Sequence, residues 1–482
     1  MLFNSDSFLL FYSIVFLLLL LLQSLRIVSN AQKIRIRNCI LLLASYYFYA
    51  CLHWKFILIL LFTTGVNYYI PLKIASAYTQ EKPKLARNWV VVALVFSIGI
   101  LAYFKYVNFF IDSVNTAMAQ LGIGMQMELI KVLLPVGISF FTFQALTYTL
   151  DVYRQKISVR KSLIDIALFI SFFPTILSGP IEKARNLLPQ LESRQKLTMA
   201  NLVEGGKLFV WGLFKKAVIA DRLANYIDVV YASDVTAHSS ITLTITAILY
   251  SFQIYADFSG YSDMAIGIAR SLGFRLSENF RFPYFASSIK EFWKRWHISL
   301  TSWFSEYMYI SMGGNRVSRA RWVLNISTIF LVSGLWHGAN WAFIVWGALH
   351  AIYYLIEHYY KKSPLYSGLH FVSHGIVRTT LSTLIVFALV TLAWIFFRTE
   401  DSIKTIDILR TLFSKSGGFY WGMSAFTTAL TLTLLCFFVM LDWVKYKQLV
   451  KNKWMNAVGY AILLCLVLLL GVSESNFVYF QF

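Results

Sequence analysis

The sequence has few charged residues, few prolines and few cysteines. Only 14% of its 482 residues are charged, whereas a soluble globular protein carries roughly 25%. With 8 prolines and no low-complexity tract, the composition also fits neither a disordered nor a collagen-like chain. These shortages exclude the soluble, disordered and fibrous classes. Because 58% of the residues are hydrophobic, the composition indicates an integral membrane protein with many spans.

The four cysteines occur singly, within apolar segments, and form no Cys-x-x-Cys pair. They are Cys39, Cys51, Cys436 and Cys465. This spacing does not suit a disulfide framework or a zinc site, so we predict no metal and interpret the cysteines as small buried hydrophobic residues.

Acidic residues are also scarce, with 23 Asp and Glu against 43 Lys and Arg, which gives a net charge of +20. Such a surplus can indicate nucleic-acid binding, but here the basic residues lie in loops between apolar runs rather than on one solvated face. We therefore expect no nucleic-acid partner. Loops 26–37, 73–88 and 151–161 carry most of the N-terminal cations. The positive-inside rule places these loops in the cytoplasm.

Sequence motifs of several large enzyme classes are missing. There is no G-x-x-x-x-G-K-[ST] loop, no G-x-G-x-x-G after a strand and no H-E-x-x-H, which disfavours nucleotide-driven pumping and zinc proteolysis. The first seven residues carry Asp6 and no Lys or Arg. Since a signal peptide begins with a positive region, we predict that the first apolar run is a retained span.

What the chain does contain is a series of apolar runs close to the ~20 residues that cross a bilayer as a helix. They predict an all-α polytopic membrane protein with about 11 or 12 transmembrane helices, together with re-entrant and interfacial helices. The run 164–179 is predicted to re-enter rather than cross. We predict one domain over 1–482, with N-terminal helices at 1–111, a core at 131–360 and C-terminal helices at 378–482. The runs are 8–25, 38–52, 55–72, 89–111, 131–150, 203–222, 240–256, 323–338, 340–358, 378–397, 423–441 and 457–472.

Residues 275–322 form a long basic and aromatic segment between two apolar runs, and the charge alternation places it in the cytoplasm. It is predicted to lie at the membrane interface, with its rings at headgroup depth. Its cations either anchor it to lipid or bind a phosphorylated cytosolic donor. The cations are Arg275, Arg281, Lys290, Lys294, Arg295, Arg316, Arg319 and Arg321. The rings include Phe280, Phe282, Tyr284, Phe285, Phe292, Trp293, Trp296, Trp303 and Phe304.

His337 is the main catalytic candidate, because it lies deep in the apolar stretch SGLWHGANWAFIVWGALH. Ionisable residues at membrane depth are costly, and a neutral imidazole there can accept a proton from a hydroxyl. The alternative is a buried histidine that hydrogen-bonds a neighbouring carbonyl. If the segment is helical, Asn340 lies on the same side and positions the ring. His350 lies about 220° further around an ideal helix and is the lesser candidate.

His297 is a second candidate, within KEFWKRWHISLTSWF. Trp293 and Trp296 precede it, so it is either an interfacial belt histidine or a group at the mouth of a route to a deeper reaction centre.

Asp257 and Asp263 lie in the apolar stretch SFQIYADFSGYSDMAIGIA. Paired carboxylates can serve acid–base chemistry, but a six-residue spacing places them poorly for one helix face. A structural role is favoured, in which they bind backbone amides or a cation of 275–322.

Several segments resemble those of the membrane-bound O-acyltransferase family, and specifically of a bacterial branch that includes the membrane subunit of alginate O-acetylation. They run in order from about residue 100 to the C-terminus. The segments are YFKYVNFF, LPVGISFFTFQALTYTLDVYR, SGPIEKARNLLPQL, FQIYADFSGYSDMAIG, NFRFPYFASSIKEFWKRWHISLTSWF, GGNR, SGLWHGANWAFIVWGALH and NFVYFQF at 476–482.

The resemblance implies a helical fold around a central tunnel and transfer of an acyl group from a cytosolic thioester toward the outer face. His337 matches the catalytic histidine of the family, and His297 matches a second histidine of this bacterial branch. One departure is Ser305-Glu306-Tyr307, where alginate-type relatives usually have Arg-Asp-Tyr.

We therefore expect an O-acyltransferase of the bacterial cytoplasmic membrane that O-acetylates an exported polysaccharide. The expected donor substrate is acetyl-CoA or another acyl carrier, with no tightly bound cofactor. The acceptor is the polysaccharide or an extracytoplasmic SGNH-like acetyltransferase partner. Expected donor-binding or supporting residues are Asn340, Trp336, Trp293, Trp296, Lys294, Arg295, Asp257 and Asp263. The alternatives are D-alanyl transfer to a teichoic acid-like polymer, a glycan or lipid-intermediate transporter, and a scaffold for an envelope synthase.

Overall fold

The computed structural model describes residues 1–124, 126–363, 375–399, 401–422, 424–450 and 452–472. Its regular secondary structure in these ranges is helical, without strands, which confirms the predicted all-α class. The motif at 476–482 lies outside the described residues. The α-helices are α1 Asp6–Ser24, α2 Asn30–Ala50, α3 Phe56–Thr79, α4 Pro83–Gln120, α5 Ile138–Tyr153, α6 Leu163–Ser171, α7 Ala184–Glu192, α8 Met199–Leu213, α9 Asp221–Ala232, α10 Ser240–Ser271, α11 Ile289–Arg295, α12 Ile298–Trp303, α13 Arg319–His337, α14 Trp341–Tyr360, α15 Ile376–Thr399, α16 Ser402–Ser414, α17 Ala425–Tyr446 and α18 Lys453–Leu470.

Among the described helices, seven are long and apolar enough to cross a membrane, namely α1, α3, α4, α10, α15, α17 and α18. Each coincides with one of the predicted apolar runs. The other five runs also overlap helices, but these helices are shorter or more polar. The predicted re-entrant run begins as the nine-residue α6, which at about 1.5 Å per residue is too short to span a bilayer. The protein is therefore a multi-pass membrane protein.

Two compact units divide the chain. The first contains Met1–Phe209 and Asp263–Ser277, and the second contains Val210–Ser262 and Glu278–Phe482. In the first unit, α3 packs against α4 and α5, and α2 packs against α6. In the second, α14 packs against α11, α13 and α15. His297 and His337 both belong to the second unit.

A tight helical hairpin, α13 and α14, carries His337 in the second unit. Its two helices pack backbone to backbone, because a Cβ on Gly334 would lie 2.2 Å from the carbonyl oxygen of Phe343. A Cβ on Gly347 would likewise lie 2.3 Å from the carbonyl oxygen of Phe330. Only glycine permits this approach, and it holds the end of α13 firmly against α14.

Two π-helical segments interrupt the second unit, Phe214–Ala220 after α8 and Phe304–Tyr309 after α12. Such widened turns occur frequently at functional sites. The second includes Ser305-Glu306-Tyr307, which is the stretch that departs from the alginate-type pattern.

The cysteines are not buried as predicted. Cys51, Cys436 and Cys465 are exposed and Cys39 is half-buried. Cys436 and Cys465 lie on α17 and α18, two of the membrane-length helices. Because lipid tails are as apolar as a protein core, a small apolar side chain is stable on the lipid-facing surface of such a helix.

Candidate active site

His297 occupies the junction between two short helices, α11 and α12. Its backbone is left-handed, with φ +43°, a conformation that a residue with a Cβ adopts at a cost of about 1–3 kcal/mol. The turn directs the imidazole into the protein, where its exposed fraction is 0%. Burial disfavours the charged imidazole and lowers its pKa to about 3. His297 is therefore neutral at physiological pH.

The ring of His297 is held by a polar contact on one side and by rings on the others. Its Nδ1 lies 3.1 Å from Oδ1 of the buried Asn279. Phe258 packs edge-on at 4.7 Å between ring centroids, and Trp336 lies at 5.9 Å. The ring centroids of Phe280 and His337 lie at 6.3 Å and 6.2 Å.

His337 is the last residue of α13 and is only 3% exposed. Aromatic rings surround its imidazole, with Trp336 at 5.0 Å, Trp346 at 5.1 Å and Phe397 at 5.4 Å between centroids. The ring centroids of His337 and His297 lie 6.2 Å apart. Since a ring nitrogen lies only about 1 Å from its ring centre, the nitrogens of the two rings are too far apart for a direct hydrogen bond. The structure thus brings the two candidate histidines together, close enough for one small group to contact both.

Asn340 does not occupy the predicted position beside His337 on one helix. The prediction assumed a continuous helix, whereas α13 ends at His337 and α14 begins at Trp341. Asn340 is the N-cap of α14, and its Oδ1 accepts a hydrogen bond of 2.9 Å from the backbone N–H of Ala342. A side-chain cap of this kind satisfies one of the free donors at a helix start. Asn340 therefore starts the helix that packs against His337.

His350 is closer to the site than an angular count along one helix predicted. It lies on α14, fully buried, with Trp346 between it and His337, at 4.9 Å from His350 and 5.1 Å from His337. Among the described residues, neither of its ring nitrogens has a hydrogen-bond partner. Its neighbours are aromatic rings, including that of Trp293 at 4.9 Å.

The rings of 275–322 face the protein interior rather than the membrane interface, contrary to the prediction. Trp296 is fully buried and packs on Trp394 at 4.9 Å between centroids, and Trp293 packs on Phe330 at 5.5 Å. Burial removes the apolar area of these rings from water, and paired rings add a further stabilisation of about 0.5–1.5 kcal/mol. The segment is therefore part of the core of the second unit. Phe292, Trp303 and Phe304 are also buried, and Phe280, Phe282, Tyr284 and Phe285 are half-buried.

The cations of the same segment face outward. Lys294 is exposed at the end of α11, and within the described residues it makes no ion pair. Arg295 is half-buried and pairs with Glu291 one turn earlier, and its guanidinium lies 5.2 Å from the ring centre of Tyr446. Of the two predicted donor-binding cations, Lys294 is thus available to a ligand, whereas Arg295 fastens α11. Arg281, Lys290, Arg316, Arg319 and Arg321 are exposed as well.

Asp257 takes part in a buried ionic cluster, and its partner differs from the predicted ones. Its Oδ1 lies 2.7 Å from Nζ of Lys216, which also lies 2.8 Å from Oδ1 of Asp221. Lys216 comes from the first π-helical segment and not from 275–322. A buried carboxylate needs such a cation, so Asp257 holds the fold together. Asp263 is half-buried and belongs to the first unit.

Asn279 is the site residue that residue-by-residue inspection missed. It lies in NFRFPYFASS, within 275–322, where the prediction rested on the cations and the rings and not on the amide. The signal was available, since an uncharged amide among aromatic residues must find hydrogen-bond partners when buried.

Residues 41–398 match the membrane-bound O-acyltransferase family. The chain belongs to this family. It is 39% identical to a probable alginate O-acetylase of Pseudomonas syringae pv. tomato over 401 residues, which are 83% of this chain and 73% of the relative. A peptidoglycan O-acetyltransferase of Helicobacter pylori is 36% identical over 403 residues, 78% of this chain and 74% of the relative.

A teichoic acid D-alanyltransferase of Bacillus subtilis is more distant, at 29% identity over 238 residues, 47% of this chain and 60% of the relative. The predicted family and enzyme class are thus confirmed: the protein is a membrane O-acyltransferase.

Proposed function

We propose that the protein transfers an acetyl group from acetyl-CoA, through the membrane, to a hydroxyl of an exported cell-envelope polysaccharide or of an extracytoplasmic partner that completes the transfer. The observation that carries the proposal is the pair of buried imidazoles, His297 and His337, 6.2 Å apart inside a ring of aromatic side chains. The relatives named as O-acetylases of alginate and of peptidoglycan support acetyl as the group and an envelope polymer as the target. Bacterial relatives also support the cytoplasmic membrane as the location.

In the proposed reaction, His337 acts as the general base. It takes the proton of the acceptor hydroxyl while the oxygen attacks the carbonyl carbon of the thioester. The carbon–sulfur bond then breaks, and the leaving thiolate receives the proton from the imidazolium of His337. The products are an acetyl ester and free CoA thiol, and the base is restored.

The donor is proposed to bind with its phosphates among the exposed cations and its thioester toward the histidines. Lys294 is the cation best suited to a phosphate, since it is exposed on the same short segment that leads to His297. Arg295 contributes indirectly, because its pairing with Glu291 holds α11 in place. A charged phosphate remains outside the aromatic interior, where an unpaired charge would cost several kcal/mol.

The test is acetyl transfer by the purified full chain in detergent or liposomes, with labelled acetyl-CoA and an alginate or peptidoglycan fragment as acceptor. General base catalysis is worth roughly 10²–10⁴-fold, so His337→Ala should lower kcat by that factor. His350→Phe is the matched control, because it removes another fully buried histidine of the same unit and should retain transfer. A His337→Ala enzyme with full activity contradicts the proposed base.

Two further outcomes separate the proposal from its alternative. Transfer from a D-alanyl thioester but not from acetyl-CoA would contradict the acetyl donor and favour the teichoic acid type of reaction. Failure of the wild type to consume either thioester, with and without acceptor, would contradict the proposed donor class.

A further inference from the structure

We propose that Asn279 is a positioning residue that holds His297 in one tautomer, with the proton on Nδ1 and the lone pair on Nε2. This inference rests on the proposed acyl transfer, in which we assign His297 the role of orienting the donor or of contributing to the same proton path as His337. It follows from the hydrogen bonds that converge on the Asn279 side chain, all of which lie within the second unit.

The backbone N–H of Ser299 determines which way the Asn279 amide points, because this group can only donate a hydrogen bond. The backbone N–H of Ser299 donates to Oδ1 of Asn279 at 3.3 Å, and the hydroxyl of Ser299 donates to the same oxygen at 2.8 Å. On the other side, Nδ2 of Asn279 donates to Oγ of Ser262 at 3.0 Å. Because a backbone N–H cannot accept, the amide cannot be flipped without losing this contact. The atom facing His297 is therefore the oxygen.

The tautomer of His297 follows from that orientation. Oδ1 of Asn279 lies 3.1 Å from Nδ1 of His297, and an amide oxygen only accepts. Nδ1 must then carry the proton, and in a neutral imidazole the lone pair is on Nε2. Asn279 thereby makes His297 a proton acceptor at Nε2, as a hydrogen-bond partner on one nitrogen determines the state of the other.

The backbone around Asn279 reinforces the contact. Its carbonyl oxygen accepts from the N–H of Ile298 at 2.8 Å, directly after His297. Asn279 is fully buried, so one residue holds the left-handed turn by its main chain and the ring by its side chain. Rings that contact His297 include those of Phe258, Phe280, Trp336 and His337, and His337 among these is titratable.

The experiment compares two substitutions of Asn279 in the full chain. Asn279→Asp retains an oxygen for Nδ1 but adds a negative charge, which favours the imidazolium of His297. The variant should retain transfer at high pH. Its kcat should fall as the pH is lowered from about 8 to 5, because His297 then becomes protonated, whereas His297 of the wild type stays neutral over this range. Asn279→Leu has no acceptor and should lower kcat roughly 10- to 100-fold at every pH, as the loss of an outer hydrogen-bond partner does for metal-bound histidines. Ser262→Ala is the control, because it removes the partner of Nδ2 and leaves Oδ1 in place.

A purely structural Asn279 would give Asn279→Asp the wild-type pH profile, with any loss spread evenly over pH, and this result overturns the inference. So does a wild-type kcat in Asn279→Leu. Ring ¹⁵N chemical shifts of labelled histidine, assigned by the signal lost in His297→Gln, give a readout that does not depend on activity. They should show a protonated Nδ1 and a bare Nε2 in the wild type, and the opposite tautomer would overturn the inference even in an active enzyme. If the wild type transfers no acetyl group, the proposed function fails while the ¹⁵N shifts still decide the tautomer.

Discussion

Lys216 should be among the residues whose loss most destabilises the second unit. Its ammonium group lies 2.7 Å from Asp257 and 2.8 Å from Asp221, and all three side chains are 0–2% exposed. Removing one partner of a buried ion pair costs about 3–5 kcal/mol, because the other charge is left in a low-dielectric interior. Lys216→Met removes the cation from two carboxylates at once, so the free energy of unfolding should fall by roughly 5 kcal/mol.

Asp257→Asn should cost less, roughly 1–3 kcal/mol, because Lys216 keeps its contact with Asp221. The assay is detergent unfolding of the purified chain, followed by tryptophan fluorescence, with thermal aggregation as a second measure. Combining Lys216→Met with Asp257→Asn and Asp221→Asn should recover most of the stability, because no buried charge of the three is left without a partner. Lys84→Met, at an exposed lysine, is the control and should change stability by less than about 0.5 kcal/mol.

The reasoning is refuted if Lys216→Met is as stable as the wild type. It is also refuted if the triple variant is less stable than Lys216→Met alone, since the cost would then come from packing and not from unpaired charge.

Three further substitutions test the buried Glu182 and His350 and the exposed Lys294. Glu182 accepts hydrogen bonds from the backbone N–H and hydroxyl of Ser277, and burial raises its pKa from 4.5 to about 7. The folded chain then keeps a proton that the unfolded chain loses, so the free energy of unfolding should fall by roughly 3 kcal/mol from pH 4.5 to 7, and Glu182→Gln should flatten this decline in detergent unfolding. His350→Phe removes two buried nitrogens that have no partner among the described residues, so thermal unfolding should show equal or higher stability. Lys294→Gln should raise KM for acetyl-CoA severalfold and leave kcat unchanged in steady-state assays, and an unchanged KM would contradict phosphate binding at Lys294.

Local pattern was sufficient to predict the helices and the two histidines. Each predicted run overlaps a helix because about 20 apolar residues leave a chain in lipid few alternatives. His337 was identifiable because an ionisable ring in an apolar stretch is costly, and His297 because it follows Trp293 and Trp296 in a basic and aromatic segment. The contacts of these residues were not predictable, since Asn279 is 18 positions from His297 and Lys216 is 41 positions from Asp257. A periodicity along one segment carries no information about such pairs.

Asn340 carries a local sequence signal for a helix start, which is stronger than the assumption of one continuous helix through His337 and Asn340. Asn is among the best N-cap residues, and here it precedes the apolar run that becomes α14. That signal predicts a helix start at Trp341 and so a break directly after His337. The break matters for the site, because it places the imidazole at a helix end, where the chain turns, rather than in the middle of a span.

The separation of charge from rings in 275–322 has a consequence for how a donor would use the site. On the proposed function, the phosphates of acetyl-CoA stay with exposed cations such as Lys294, because an aromatic interior cannot solvate them. Only the uncharged thioester arm then reaches the buried imidazoles of His297 and His337. Binding of the donor phosphates and the acyl-transfer step are therefore assigned to different residues of the second unit. Charge substitutions outside should act on KM, whereas substitutions at the histidines, or at Asn279 behind them, should act on kcat.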